Sequence, residues 1–373
     1  MLTNLMDKYD ILICSLLNSK ADVCIEDNAE AIEELVERAS HHGVVPLLHY
    51  VMTSSEAWED SPASIQESVS NTRKQAVAIS MLREQFVASL FSVMSDAGIK
   101  PILLKGEALA HTHYTSPELR VRCDTDMLIP VTDIAKTIEV LEADGFTVSG
   151  GRSCYKSHQF TASKLMTNEI SFQIDVHWRI SNAPAFARLF SYEICFEKSK
   201  MIDVVRQECN VLHPSHALIL ACVHLSVQPD ELADRLIWFY DIHLLVSAMT
   251  EVELLEMAQL ATEKGVGNLC LNAIEKTQQC FELTIPQVVI ELLQSTDEVK
   301  GVEGSFNKSY LALILADIKE LTSLSQKWAL VSELLFPGTP WLLNKYRKEN
   351  PAWVPVLYVR YLGSGLFNRL TLR

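Results

Sequence analysis

The stretch RCDTDMLIP, residues 122–130, sets two aspartates one residue apart at the mouth of an otherwise apolar run. Side chains alternate between the faces of a β-strand, so Asp124 and Asp126 project to one side while Thr125 and Met127 project to the other. Two neighbouring carboxylates repel, and burial raises the cost. One of them takes up a proton unless a cation sits between them. A hard divalent ion removes the conflict: Mg²⁺ takes oxygen ligands, is held by one or two carboxylates, and completes its shell with water and substrate phosphates.

A second strand supplies a third carboxylate. In SFQIDVHWRI, residues 171–180, Phe172, Ile174, Val176, Trp178 and Ile180 form one apolar face and leave Gln173, Asp175, His177 and Arg179 on the other. Asp175 is then placed to join Asp124 and Asp126, as a two-metal phosphoryl-transfer site requires. His177 reads as a histidine hydrogen-bonded behind the ligands, because Mg²⁺ prefers oxygen. Arg179, two residues further on the same face, suits a phosphate contact or pairing with a carboxylate, and pairing is the favoured reading. Upstream, ILLKGEAL (102–109) runs from a strand through Lys105 and Gly106 into a helix. Free N–H groups at a helix start, a glycine that lets backbone approach a ligand and a neighbouring lysine together make an anion cradle where a triphosphate could lie.

Around this unit the periodicity is helical. NAEAIEELVERASHHGV (28–44) and the run from Thr72 to Ile99 repeat apolar residues every three or four positions, and helical spacing returns from Ser215 onward. The expected organisation is a helical region over 1–98, an α+β core over 99–200 and a second helical region over 201–373. Within the core, a βαβ start is expected to lead into antiparallel strands, with turns at Ser149-Gly150-Gly151 and around Thr167 and Asn168.

Composition fits a globular protein: of 373 residues, 48% are hydrophobic and 21% charged. ILICSLL near the N-terminus is too short for a membrane span or a signal segment, and the nine scattered cysteines contain no C-x-x-C pair. Both features lead to the expectation of a cytosolic protein with reduced thiols. The net charge of −15 opposes long nucleic acid as a partner. Residues 341–373 run against that balance, with Lys345, Arg347, Lys348, Arg360, Arg369 and Arg373 facing only Glu349. They read as a basic tail on an acidic body or as a cationic wall for an anionic ligand. His213, His216, Cys222 and His224 match no standard zinc spacing. On one helix His216, Leu220 and His224 share a face, which suits packing. His111 and His113 diverge and suggest no joint role.

The order strand, glycine, helix, D-x-D strand and later D strand resembles the nucleotidyltransferase superfamily related to DNA polymerase β. LLKGEALAHTHY (103–114), ELRVRCDTDMLIP (118–130), FQIDVHW (172–178), LACVHLSV (220–227), DRLIWFYDIHLL (234–245) and LFPGTPWLLNKY (335–346) are similar to a group of bacterial uncharacterised nucleotidyltransferases. The resemblance implies an α+β polymerase-β-like core with helical regions at both ends. It also implies Mg²⁺ or Mn²⁺ as cofactor, an NTP as donor and transfer of a nucleoside monophosphate to an unidentified acceptor: a small molecule, a protein or an RNA end. By the same resemblance Asp124 and Asp126 bind both metals, and Asp175 binds the catalytic metal and helps deprotonate the acceptor. Gly106 matches the phosphate-loop glycine, Arg120 a basic residue that steadies phosphates, and His224, Arg235 and Asp241 the helical-region signatures. Glu107 departs from the pattern, since the superfamily has a second glycine or a serine after the first. An acid beside a triphosphate cradle is electrostatically awkward. The alternative is therefore a catalytically degenerate nucleotide-binding or scaffold protein on the same fold.

Overall fold

The computed structural model describes residues 7–18, 28–55, 58–149, 158–167, 170–183, 186–228 and 235–295. Toward the C-terminus it describes 318–319, 324–336, 339, 342–343, 346 and 350–361. Gly150, Gly151 and Asn168 of the expected turns, and Lys345, Arg347, Lys348, Arg369 and Arg373 of the basic segment, lie outside the described residues. Arg360 lies within them and is exposed.

Four helices lead: α1 (Lys8–Leu17), α2 (Ala29–His41), α3 (Val45–Thr53) and the long α4 (Ala63–Asp96). Asp7 caps α1 by accepting from the N–H groups of Tyr9 and Asp10, and Asp10 returns the bond to the Asp7 N–H. Gly98 ends α4 at φ +68, where the Ile99 N–H reaches back to the Met94 carbonyl. By length and apolarity part of α4 could cross a membrane. Here its Phe86, Val87, Leu90, Phe91 and Met94 are buried in a protein core.

The sheet then begins with β1 (Ile102–Leu103), α5 (Lys105–Thr112), β2 (Asp124–Leu128), α6 (Ile134–Ala143), β3 (Thr147–Ser149), β4 (Gln159–Leu165) and β5 (Ser171–His177). After α7 (Tyr192–Glu197) come two strands that the periodicity did not announce, β6 (Lys200–Val204) and β7 (Gln207–Val211). The seven strands lie in the order β3-β4-β5-β2-β1-β7-β6. The expected βαβ start is replaced by an antiparallel pair, β1 with β2. Eight residues of α5 between strands this short bring the chain back beside its starting strand. The parallel pairings are β2 with β5 and β1 with β7.

Helices α8 (Pro214–Ser226), α9 (Leu236–Ser247), α10 (Glu251–Glu263), α11 (Gly267–Cys280) and α12 (Gln287–Gln294) follow, with α13 (Leu324–Leu335) further on. Two hydrophobic cores sandwich the sheet. One holds Met127, Ile129, Phe160, Phe172, Ile174 and Val176 against α4 and α6. The other gathers α1–α3 with α8–α12 over Ile102, Leu104 and Leu128. The two ends of the chain thus form one helical body. Asn18 Nδ2 donates to the Cys280 carbonyl at 2.8 Å, and Arg235 Nε to the His41 carbonyl at 3.1 Å.

Within that body, the buried Asp10 accepts from Arg38 Nη2 and His42 Nε2, each at 2.7 Å. Burial alone would raise its carboxyl, but the hydrogen bonds from His42 and Arg38 hold it down at about 2. A folded-state value below the unfolded one stabilises the protein at neutral pH, and the effect is lost as pH falls through that lower value. Asp10→Asn is expected to cost about 2 kcal/mol at pH 7, with about half of the difference gone by pH 3. Urea unfolding midpoints of both proteins across that range check it.

Candidate active site

The alternation of β2 decides where its carboxylates go. Met127 on the odd side enters the core beneath α4, and Leu128 on the even side enters the helical body. Asp124 and Asp126 therefore open toward the helical body. The parallel pairing with β5 puts Asp126 beside Asp175 and Leu128 beside His177. Potential ligand atoms of Asp126, Asp175 and His177 all lie within 4.8 Å of one another. On β5 Phe172, Ile174, Val176, Trp178 and Ile180 are buried, while Gln173 is exposed and Asp175 and Arg179 are half-buried.

Asp126 is buried, and its Oδ1 accepts from Lys105 Nζ at 2.6 Å and from His177 Nε2 at 2.8 Å. Burial works against its ionisation, but the Lys105 ammonium and His177 outweigh burial and hold the carboxyl well below the usual range. Lys105 shows the converse: burial disfavours its charge, yet Asp126, Asp124 and Asp175 together raise its affinity for the proton. Asp124 is half-buried, and burial together with the Asp126 charge raises its carboxyl above the ordinary value. Asp175 is fixed by Thr161 Oγ1 at 2.7 Å and Gln159 Nε2 at 3.0 Å. The Nδ1 of His177 is buried without a hydrogen-bond partner. A metal on Nε2 would require the proton on that unpartnered nitrogen, whereas metal-bound histidines usually donate it to an acceptor. The ring is better placed to brace Asp126 than to bind an ion.

Three side chains fall elsewhere than their sequence pattern implied. Lys105 points onto Asp126 rather than standing free for phosphate. Arg120 is buried and turned to Asp241: Nε donates to Oδ1 at 2.9 Å and Nη2 to Oδ2 at 2.7 Å, while Nη1 donates to the Val121 carbonyl at 2.5 Å. Tyr114 Oη donates to Asp241 Oδ1 at 2.8 Å. All three guanidinium nitrogens are engaged, so the arginine joins the core to α9 instead of reaching a ligand. Asp241, grouped with Arg235 among the helical-region signatures, is thus held by Arg120. Gly106 accommodates the same group, since a Cβ there would lie 3.0 Å from the Arg120 Cζ.

Glu107 resolves differently from its reading as an acid beside phosphate. It is buried on the Thr125 side of β2, facing away from the aspartates, with Arg122 at 3.5 Å, His111 at 3.2 Å and Arg83 at 3.9 Å. Burial would protonate it, but Arg122, His111 and Arg83 keep it ionised. Its charge is neutralised within the core.

A cleft of about 630 Å³ lies between the sheet and the helical body, lined by Lys105, Gly106, Asp124 and Asp126 on one side and His224, Arg235 and Trp238 on the other. Burial and the nearby Lys105 charge push His224 down to about 3, so its ring is neutral, and it meets Trp238 edge-on at 5.0 Å. His216 is buried against Phe190 at 4.3 Å and meets the ring of His213, which caps α8, edge-on at 6.2 Å, so this pair lies apart from His224 in the cleft lining. Lys200, at the start of β6, also lines the cleft. Neither it nor Arg235 forms an ion pair among the described residues, although both face the cavity. The sequence pattern missed Lys200 because β6 itself went unread, and it missed Trp238 because an aromatic residue at helical spacing reads as core.

The donor set suits a hard divalent cation: oxygen ligands, excess negative charge and an opening to a cleft large enough for a phosphate ester. Asp124, Asp126 and Asp175 would supply the protein ligands. A family model described as uncharacterised nucleotidyltransferase matches residues 28–282, and the chain belongs to that family. The fold is similar to the crystal structure of an antigenic nucleotidyltransferase-like protein from Paracoccidioides brasiliensis. That likeness has a TM-score of 0.39 and 11% identity, and covers 59% of this chain and 95% of the other. No curated protein matches.

The Arg120–Asp241 pair generates a stability test. Asp241→Ala strands a buried guanidinium and is expected to cost about 3–5 kcal/mol, whereas Arg120→Met with Asp241→Leu should recover most of that loss. Denaturant unfolding of the single and double variants checks it.

Proposed function

We propose that the chain is a divalent-metal-dependent nucleotidyltransferase, using Mg²⁺ or Mn²⁺ to transfer a nucleoside monophosphate from an NTP to an acceptor hydroxyl. The observation that carries this reading is the placement of Asp124, Asp126 and Asp175 on two adjacent parallel strands, with Asp124 and Asp126 lining one cleft and Asp175 beside Asp126. In the reaction the acceptor oxygen forms a bond to the α-phosphorus, the bond to the bridging oxygen of the β-phosphate breaks, and pyrophosphate leaves with that electron pair. The bound metal supplies neutralisation of phosphate charge.

The chain's own residues supply position. Asp175, oriented by Thr161 and Gln159, takes up the acceptor proton. The first turn of α5, which has no side-chain cap, offers N–H groups to phosphate oxygens. Lys200 and Arg235 are the cations of the cleft lining without a carboxylate partner among the described residues, and they hold the remaining phosphate charge. Leu212, Ala217 and Leu220 give the cleft an apolar wall that limits water. The ground for a degenerate scaffold is Glu107, and its burial among Arg83, Arg122 and His111, away from the aspartates, supports the catalytic reading over it. The net charge of −15 favours a small or weakly charged acceptor over long nucleic acid.

Thermal unfolding with each NTP, with and without Mg²⁺ or Mn²⁺, tests the reading. The wild type is expected to gain the most stability when metal and nucleotide are both present, and Asp126→Asn should gain none. Equal responses of the two proteins would refute the site. Lys200→Met and Arg235→Met are each expected to weaken NTP binding about tenfold, the equivalent of about 1.4 kcal/mol. Calorimetric titration measures that change.

A further inference from the structure

A two-metal site needs a carboxylate that can give one oxygen to each ion, because the two ions sit about 3.5–4 Å apart. Asp126 is the carboxylate flanked by the other two, and its two oxygens are not equivalent. Oδ1 already accepts from Lys105 Nζ at 2.6 Å and His177 Nε2 at 2.8 Å, which uses both of its lone pairs. Oδ2 accepts no hydrogen bond from the described residues. The Asp124 side chain accepts none from another described residue, and each oxygen of Asp175 holds one donor and keeps one lone pair. The acceptors left open are Asp126 Oδ2, the Asp124 carboxylate and one lone pair on each Asp175 oxygen, enough for the protein share of one ion's shell.

Charge agrees with geometry. Asp124, Asp126 and Asp175 bring three negative charges and Lys105 returns one positive charge, leaving a deficit that one divalent ion cancels. The lysine is also held in place at a cost. Its backbone φ is +49, a left-handed conformation that strains a residue with a Cβ by about 1–2 kcal/mol. Strain of this kind persists where the surroundings over-determine it, often at functional sites.

We propose that Lys105 is a built-in second cation, so that the protein works with a single divalent ion per chain and the lysine ammonium fills the other cation position on Asp126. The inference rests on the reading of the cleft as an NTP site. It assigns Lys105 a catalytic part distinct from the phosphate contact that its place in the sequence implied. With the ammonium fixed on Oδ1, Asp126 Oδ2 would hold the one ion together with the open acceptors of Asp124 and Asp175.

Native mass spectrometry of the full chain with Mn²⁺ and α,β-methylene-ATP, which cannot be cleaved at the α-phosphate, counts ions per nucleotide-bound chain. The wild type and Lys105→Arg are expected to carry one Mn²⁺, and Lys105→Met two. Without nucleotide, Lys105→Met should also bind its first Mn²⁺ at least tenfold more tightly than the wild type. Two ions in the wild type, or one in a folded Lys105→Met, would overturn the inference while leaving the NTP site standing. No Mn²⁺ on any nucleotide-bound chain would overturn both. Should Lys105→Met fail to fold, the wild-type count decides alone.

Discussion

Asp126 and Asp175 sit side by side on parallel strands, and everything around them answers the repulsion this creates. Like charges in adjacent register destabilise a sheet unless cations are brought to them. Here the cation comes from the chain itself, with the Lys105 ammonium on Asp126 Oδ1 and His177 bracing the same oxygen. The lysine reaches that point because β1 ends at Leu103, two residues before it, with the intervening Leu104 N–H bonded to the Asp126 carbonyl at 2.9 Å. The turn from β1 into α5 is thereby fastened to the strand that carries the aspartates.

The rest of the architecture separates charges of different purpose. One face of β2 sends Thr125 and Met127 under α4, where Glu107 is enclosed by Arg83, Arg122 and His111. The other face opens to the cleft. Arg120 and Asp241 join sheet and helical body behind that opening, with Gly106 leaving room for the guanidinium. A buried pair of this kind adds little net stability over an apolar substitute. It does fix the helical wall at a set position relative to the carboxylates, which positional catalysis needs.

Much of this was legible in the sequence, for a definite reason. Strand alternation is a property of the backbone, so the common face of Asp124 and Asp126 and the apolar row from Phe172 to Trp178 could be read without knowing what packs against them, whereas Ile180, past the end of β5, packs in the other core. The partners of charged side chains could not. Arg120 finds Asp241 on a distant helix, and Lys105 finds Asp126 rather than solvent, through contacts no local pattern encodes. The hairpin of β6 and β7 escaped for another reason. Its turn places Val205 at φ +52 and Arg206 at φ +64, where Asn-Gly or Asp-Gly would be the usual signal. Lys200 was hidden along with it. Glu107 misled because sequence proximity to a phosphate loop says nothing about which side of the sheet a side chain takes.

The chain offsets part of the charge of its own carboxylates through Lys105 on Asp126. The central claim is that these carboxylates transfer nucleotides. The most direct measurement follows the label of α-phosphate-labelled NTPs, with Mn²⁺ or Mg²⁺ and fractionated cell extract as the source of acceptor, in wild type and Asp126→Asn. The account predicts that the wild type moves label to a new product with matching pyrophosphate release, and that Asp126→Asn leaves the NTP intact. Equal transfer by both proteins, or none by the wild type with any NTP and either metal, would contradict it.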